Sequence, residues 1–156
     1  MDVVSKEKRS KMMSGIRYKD TKPELLIRKG LHKLGYRYRI NNRLFGKPDI
    51  ALKKYNAVIF IHGCFWHGHI GCKNFKIPKS NSKFWIDKID KNRKRDGEVL
   101  NYLRATGWRI CIVWECAIRG KFQMENFDNT ILNISNWLNS ENIWIEITSE
   151  KYQISN

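Results

Sequence analysis

The chain of 156 residues contains no run of 18 apolar side chains, which excludes a membrane-crossing helix. Its opening residues, Met1 to Lys6, lack the apolar stretch of a secretory signal, so a cytoplasmic protein is expected. There is no internal repeat and no linker long enough to divide the chain. One domain spanning residues 1–156 is therefore expected, with a basic arm over 1–20 and a helix and tail over 121–156. Acidic residues are scarce where basic ones are dense. Residues 1–95 hold 7 Asp and Glu against 25 Lys and Arg, whereas residues 96–156 carry a net charge of −3. At 42% hydrophobic and 12% aromatic residues, the chain is too apolar to be a disordered basic tail.

The overall charge of +15 is thus concentrated in one part of the sequence. An excess of this kind suits a partner rich in phosphates, because each one neutralised releases condensed counterions. An anionic membrane surface is the rival partner, but it needs an apolar face beneath the basic one. The stretch Lys88-Ile89-Asp90-Lys91-Asn92-Arg93-Lys94-Arg95 has little such face. Nucleic acid is the better reading, with no membrane role.

Periodicity gives a coarse order of elements. Residues 5–17 read as a short basic helix. Thr21 and Glu24 fit a capping box at the start of a helix over 21–34, with Pro23 tolerated in its first turn. Tyr36 to Ile40 alternates as a strand does, and Asp49 to Lys53 opens a second strand. Ala57 to Ile61 is continuously apolar, as a central buried strand should be. A long helix is expected over 84–106, a buried strand over 108–114 and an amphipathic helix over 125–138. Ile143 to Ile147 is either a last strand or a tail. The class is α/β, a mixed sheet flanked by helices.

Five of the eleven residues from His62 to Cys72 are Cys or His. In a cytosolic chain such a cluster points to metal before disulfide. Tetrahedral zinc takes four soft or borderline ligands. Cys64, His69 and Cys72 have the short spacing that closes a loop on one ion. The fourth ligand is Cys111 or Cys116. Cys111 lies within an apolar strand, where a cysteine is usually a small core residue, so Cys116, just past the strand end, is preferred. That leaves His62 and His67 at the end of a buried strand, where sites on open sheets assemble.

Phosphodiester hydrolysis needs a hard cation on oxygen ligands and a base to activate water. Past the two carboxylates near the terminus, the basic part offers Asp20, Glu24, Asp49, Asp87 and Asp90. A hairpin centred between Tyr55 and Asn56 would bring Asp49 opposite His62. Glu24 is open between a capping role and a functional one. Trp85 is equally open between core packing and contact with a partner.

Pro48-Asp49, Val58 to His67, Phe84-Trp85 with Lys91-Asn92, and Val113-Trp114-Glu115-Cys116 together resemble the very-short-patch repair (Vsr) DNA mismatch endonucleases. Arg9 to Met13 and Thr21 to Glu24 carry the resemblance further, over roughly residues 5–120. It implies a restriction-endonuclease-like fold with a structural zinc site at Cys64, His69, Cys72 and Cys116. It implies that Asp49 and the backbone carbonyl of Ile61 bind Mg²⁺, and that His67 is the general base, supported by His62 and Glu24. Phe65, Trp66 and Trp85 match the aromatic residues that wedge into the duplex. Met13 matches an apolar contact from the opposite groove, Asn92 a further DNA contact, and residues 1–20 a DNA-contacting arm. The implied activity is nicking of the T-bearing strand of double-stranded DNA at a T·G mismatch left by 5-methylcytosine deamination. That step would initiate very short patch repair by a monomer acting beside mismatch-repair proteins. Two other readings share the motifs: a restriction-type endonuclease cutting unmismatched DNA, and a non-catalytic, zinc-stabilised DNA-binding module.

Overall fold

The apolar run after Asn56 becomes an inner strand of a mixed sheet, buried along its whole length. The computed structural model describes residues 5–14, 20–40, 42–120, 123–149 and 152–155, with side chains left out for Arg9, 12–14 and 152–155. In chain order the elements are α1 (Lys6–Ser14), α2 (Lys22–Lys33), β1 (Ile50–Leu52), β2 (Ala57–His62), α3 (Ser82–Ala105), β3 (Arg109–Trp114), α4 (Gln123–Leu138), β4 (Trp144–Ile147) and β5 (Tyr152–Ser155). Among the described residues the sheet has five strands in the order β1-β2-β3-β4-β5. The β2–β3 and β3–β4 pairs are parallel, and the two outer pairs are antiparallel. No helix among the described residues is long and apolar enough to cross a membrane.

Side chains alternate across the strands, so each face of the sheet has its own core. Ile50, Leu52, Ile59, Ile61, Cys111, Val113, Ile145 and Ile147 pack with Ile27 and Leu31 of α2 and Ile134 and Trp137 of α4. Val58, Phe60, Ile110, Ile112 and Trp114 pack on the other face with Val99 and Leu103 of α3. Arg109 ties the far end together. Its guanidinium donates to the carbonyls of Tyr55, Trp137, Leu138, Ser140 and Asn142, and so satisfies the C-terminus of α4.

The structure corrects several expectations. Tyr36 to Ile40 is not a strand: it makes a single bridge, Arg39 to Ala51. The alternation is real, since Tyr36 is buried and the Tyr38 hydroxyl donates to the Arg28 carbonyl at 2.9 Å. With only three residues in β1, however, there is no ladder to extend. Two strands, not three, therefore precede the long helix. Ile143 to Ile147 resolves as a strand: β4 spans Trp144–Ile147, parallel to β3. The hairpin turn is a 3₁₀ turn over Lys53–Tyr55 followed by Asn56 in the left-handed region. Ile50 consequently pairs with Ile59, and the register slips by two residues from the one expected.

Candidate active site

Asp49 stands where β1 stops pairing with β2. Because of the register slip it is not opposite His62. Its Oδ2 instead accepts the Ile61 N–H at 2.7 Å, a donor that a longer β1 would have paired with backbone. The N–H and C=O of one strand residue face the same side, so the Ile61 carbonyl is turned to the same edge. Burial pushes the Asp49 carboxyl up to about 7, against the Ile61 bond, and the neighbouring Glu24 carboxylate adds to the rise. Glu24 is buried, although it sits in the first turn of α2. Thr21 caps that helix by accepting the Glu24 N–H at 3.4 Å. The reciprocal half of the capping box is displaced by one residue: Glu24 Oε2 takes the Asp20 N–H at 2.9 Å and the Arg28 guanidinium at 3.1 Å. The Glu24 carboxylate is thus locked in place and coupled to Asp49.

At the end of β2, His62 is buried and its ring lies flat on that of His67, with centroids 3.8 Å apart and planes at 1°. Burial, helped by His67, holds His62 down at about 3, so it is neutral at physiological pH. His67 Nδ1 meets Asp96 Oδ2 of α3 at 2.6 Å. Burial alone would raise the Asp96 carboxyl, but the bond from His67 and the charges of His67, His62 and Arg95 outweigh it and hold it low. An ionised carboxylate can only accept, so Nδ1 carries a proton, and whenever the ring is neutral its basic lone pair is on Nε2. His62, His67 and Asp96 lie close enough to suggest metal ligation. Parallel imidazoles, however, direct their in-plane lone pairs along parallel lines and do not converge on one ion. The hydrogen-bonded and stacked trio is instead an arrangement that can move a proton. If the activity is the one that the resemblance implies, Asp96→Asn, which can offer Nδ1 a donor in place of an acceptor, is expected to lower the rate of strand cleavage by about 10²-fold or more, measured on a duplex under single-turnover conditions.

The sequence reading missed Asp96. Ile89, Asn92, Asp96, Val99 and Leu103 recur at spacings of three and four. Asp96 is therefore an acid in the inward stripe of α3, which is the signal that finds it.

Cys64, His69, Cys72 and Cys116 offer ligand atoms that all lie within 4.8 Å of one another. Cys116 stands in a short 3₁₀ turn, Glu115–Ile118, directly after β3, and its Sγ is 3.6 Å from His69 Nδ1. Cys111 is buried in β3 inside the other core. The closeness of the two thiols raises Cys64 and lowers Cys116. Three thiols and one imidazole, with no carboxylate and little exposure, are a donor set that fits zinc in a closed site. The loop reaches this geometry through Gly68. Its φ is +62°, and a Cβ there would lie 2.7 Å from Ile89 Cγ2 and 2.8 Å from Arg93 Cδ. Gly68→Ala is expected to cost about 1–3 kcal/mol, read as a lower Tm.

Phe65, Trp66 and Trp85 form a triad of edge-to-face rings with centroids 5.1–5.8 Å apart. All three are half-buried, and none belongs to either core. Trp85, left open by the sequence, therefore joins the loop aromatics. Asn92 donates to the Trp66 carbonyl at 3.0 Å and fixes the loop to α3. Lys88, Lys91, Lys94 and Arg95 are exposed along the same helix. Met13 lies in α1, with its side chain outside the described residues.

Known proteins can now be set beside this geometry. The profile of the family described as DNA mismatch endonuclease Vsr matches residues 1–73. Type II nicking enzyme V.NmeAIP of Neisseria meningitidis serogroup A is 49% identical over 121 residues, 77% of this chain and 86% of that protein. DNA mismatch endonuclease Vsr of Escherichia coli is 44% identical over 121 residues, 77% of each chain. Type II nicking enzyme V.HpaIIP of Haemophilus parainfluenzae is 44% identical over 140 residues, 86% of this chain and 93% of that protein. With likeness at this level running over most of both partners, the chain belongs to the Vsr family of DNA mismatch endonucleases and is a DNA endonuclease.

Proposed function

We propose that this endonuclease nicks the T-bearing strand of duplex DNA at a T·G mismatch, left by deamination of 5-methylcytosine, in a Mg²⁺-dependent reaction that opens very short patch repair. The chain acts as one domain over residues 1–156, a monomer on a restriction-endonuclease-like scaffold, with residues 1–20 as a DNA-contacting arm and mismatch-repair proteins as its successors on the DNA. The observation that carries this reading is the His67–Asp96 pair, held by stacked His62 at the same strand end as Asp49, with Phe65 and Trp66 of the adjoining loop packed on Trp85 of α3.

Asp49, with the Ile61 carbonyl beside it and Glu24 near, is the site for Mg²⁺. Two coupled carboxylates, Glu24 buried and Asp49 half-buried, are strained by their own charge, a strain that a divalent cation removes. When bound, Mg²⁺ polarises the scissile phosphate as a Lewis acid. His67 Nε2 takes the proton from the attacking water, and Asp96 stabilises the imidazolium that results. Neutral His62 covers one face of that ring and keeps its plane fixed. The zinc set, Cys64, His69, Cys72 and Cys116, has no open position and serves to hold the loop.

The aromatic triad supplies the discrimination. Unstacking costs least at a mismatched step, and each base–aromatic stack returns on the order of 1–3 kcal/mol. The deciding experiment is a nicking assay with Mg²⁺ on matched and T·G duplexes in several sequence contexts. Selective cleavage of the T strand at T·G is expected. Cleavage of both strands of a matched site would instead indicate a restriction-type enzyme, and tight binding without cleavage a binding module.

A further inference from the structure

Trp114 is shared by two groups of histidines. On one side His69 stacks on its ring, with centroids 4.1 Å apart and planes at 5°. On another, His62 meets the ring edge-on at 5.3 Å, and His62 in turn lies flat on His67. Trp114 is buried at the end of β3 and pairs in register with His62 across the parallel ladder. Its one polar atom has one partner: Nε1 donates to Glu146 Oε1 at 2.6 Å. Glu146 projects from β4, thirty-two residues away in sequence. An indole can turn about its χ angles, whereas a charge-assisted bond of this length permits one orientation. The ring is therefore clamped from β4.

We propose that Glu146 is a positioning residue that, through Trp114, sets the ring planes of His62, His67 and His69. β4, which lies beyond the residues matched by the family profile, thereby reaches into the reaction. The carboxylate is assigned no role on the reacting atoms. It fixes the indole, the indole fixes His62, and His62 fixes the face of His67 from which Nε2 must meet the water. Displacement of a catalytic base by about 1 Å costs on the order of 10²-fold in rate, so a small rotation of Trp114 is enough. The functional part of this inference rests on the reading of His67 as general base, while the geometric part does not.

The test uses the zinc-loaded full chain with Glu146→Leu, which leaves the indole N–H without an acceptor, and Glu146→Gln, which restores one. Glu146→Leu is expected to lower kcat for nicking by about 10–100-fold with KM for duplex changed less than about threefold, and Glu146→Gln to recover most of it. In ¹H–¹⁵N spectra of the imidazoles, the His62, His67 and His69 signals should move in Glu146→Leu and return in Glu146→Gln, while exposed His32 on α2 stays put. Unmoved ring signals overturn the clamp, as does a Glu146→Leu loss that appears in KM and not in kcat. If the rings move but neither Glu146→Leu nor His67→Ala slows nicking, the clamp stands as geometry and the reading of His67 falls.

Discussion

Asp49→Asn is expected to slow nicking by about 10³-fold or more while leaving duplex affinity within a few-fold of the parent. The substitution removes the charge that holds the cation but none of the basic α3 face. The same change is expected to stabilise the metal-free protein at alkaline pH. Burial and Glu24 hold the Asp49 carboxyl up to about 7 against an ordinary 3.8, so the folded state binds this proton more tightly than the unfolded state. A group raised in this way contributes stability that is full below about pH 4 and lost as pH climbs through about 7. Asparagine cannot ionise and loses nothing across that window. The ceiling on the difference at pH 8 is about 4 kcal/mol, reduced by solvent screening at a half-buried site. Thermal melts from pH 4 to 8 in chelator should therefore diverge with rising pH, the variant melting higher. Mg²⁺ should then raise the wild-type melt and leave the variant unmoved. Unimpaired nicking, or a loss of duplex binding as large as the loss of rate, would remove Asp49 from its assigned role.

Cys72→Ser is expected to release zinc and to cost about 3–5 kcal/mol of stability, in the range reserved for loss of a metal or a buried network. Cys72 sits at the end of the loop whose other end is anchored in β2, and the loop closes through hydrogen bonds such as His69 N–H to the Cys64 carbonyl at 2.9 Å. Without the ion, two thiols, a serine hydroxyl and an imidazole are left with nothing to hold them together. The loop that carries His67, Phe65 and Trp66 then loses its brace. Nicking should fall with the fold, and chelation of the wild type should reproduce the defect until zinc is restored. Unchanged zinc content together with an unchanged Tm would refute the ligand set. Cys111→Ser offers the contrast: it disturbs the core of β3 and leaves zinc content intact.

Much of this site was legible because its residues are close along the chain. His62, Cys64, His67, His69 and Cys72 fall within one short loop after an apolar strand, and the preference for Cys116 over Cys111 needed only the end of the next strand. Trp85 and Asp96 were harder. Each sits on α3, tens of residues from its partners, and each has an ordinary alternative as a packed aromatic or a solvated acid. The expected strand at Tyr36 to Ile40 failed for a related reason. Alternation reports which side chains turn inward, but pairing depends on the length of the neighbouring strand.

Composition and order along the chain were enough to point to a basic, single-sheet, nucleic-acid-directed protein with a Cys- and His-rich loop and an acid at a strand edge, because local periodicity and short spacings encode those features directly. The register that hands the Ile61 N–H to Asp49, the coupling of Glu24 to Asp49, the Asp96 bond that leaves His67 Nε2 free and the Glu146 hold on Trp114 emerged only with packing. Each joins groups 12 to 32 positions apart, and which of many possible long-range partners meet is decided by how two cores close on opposite faces of one sheet.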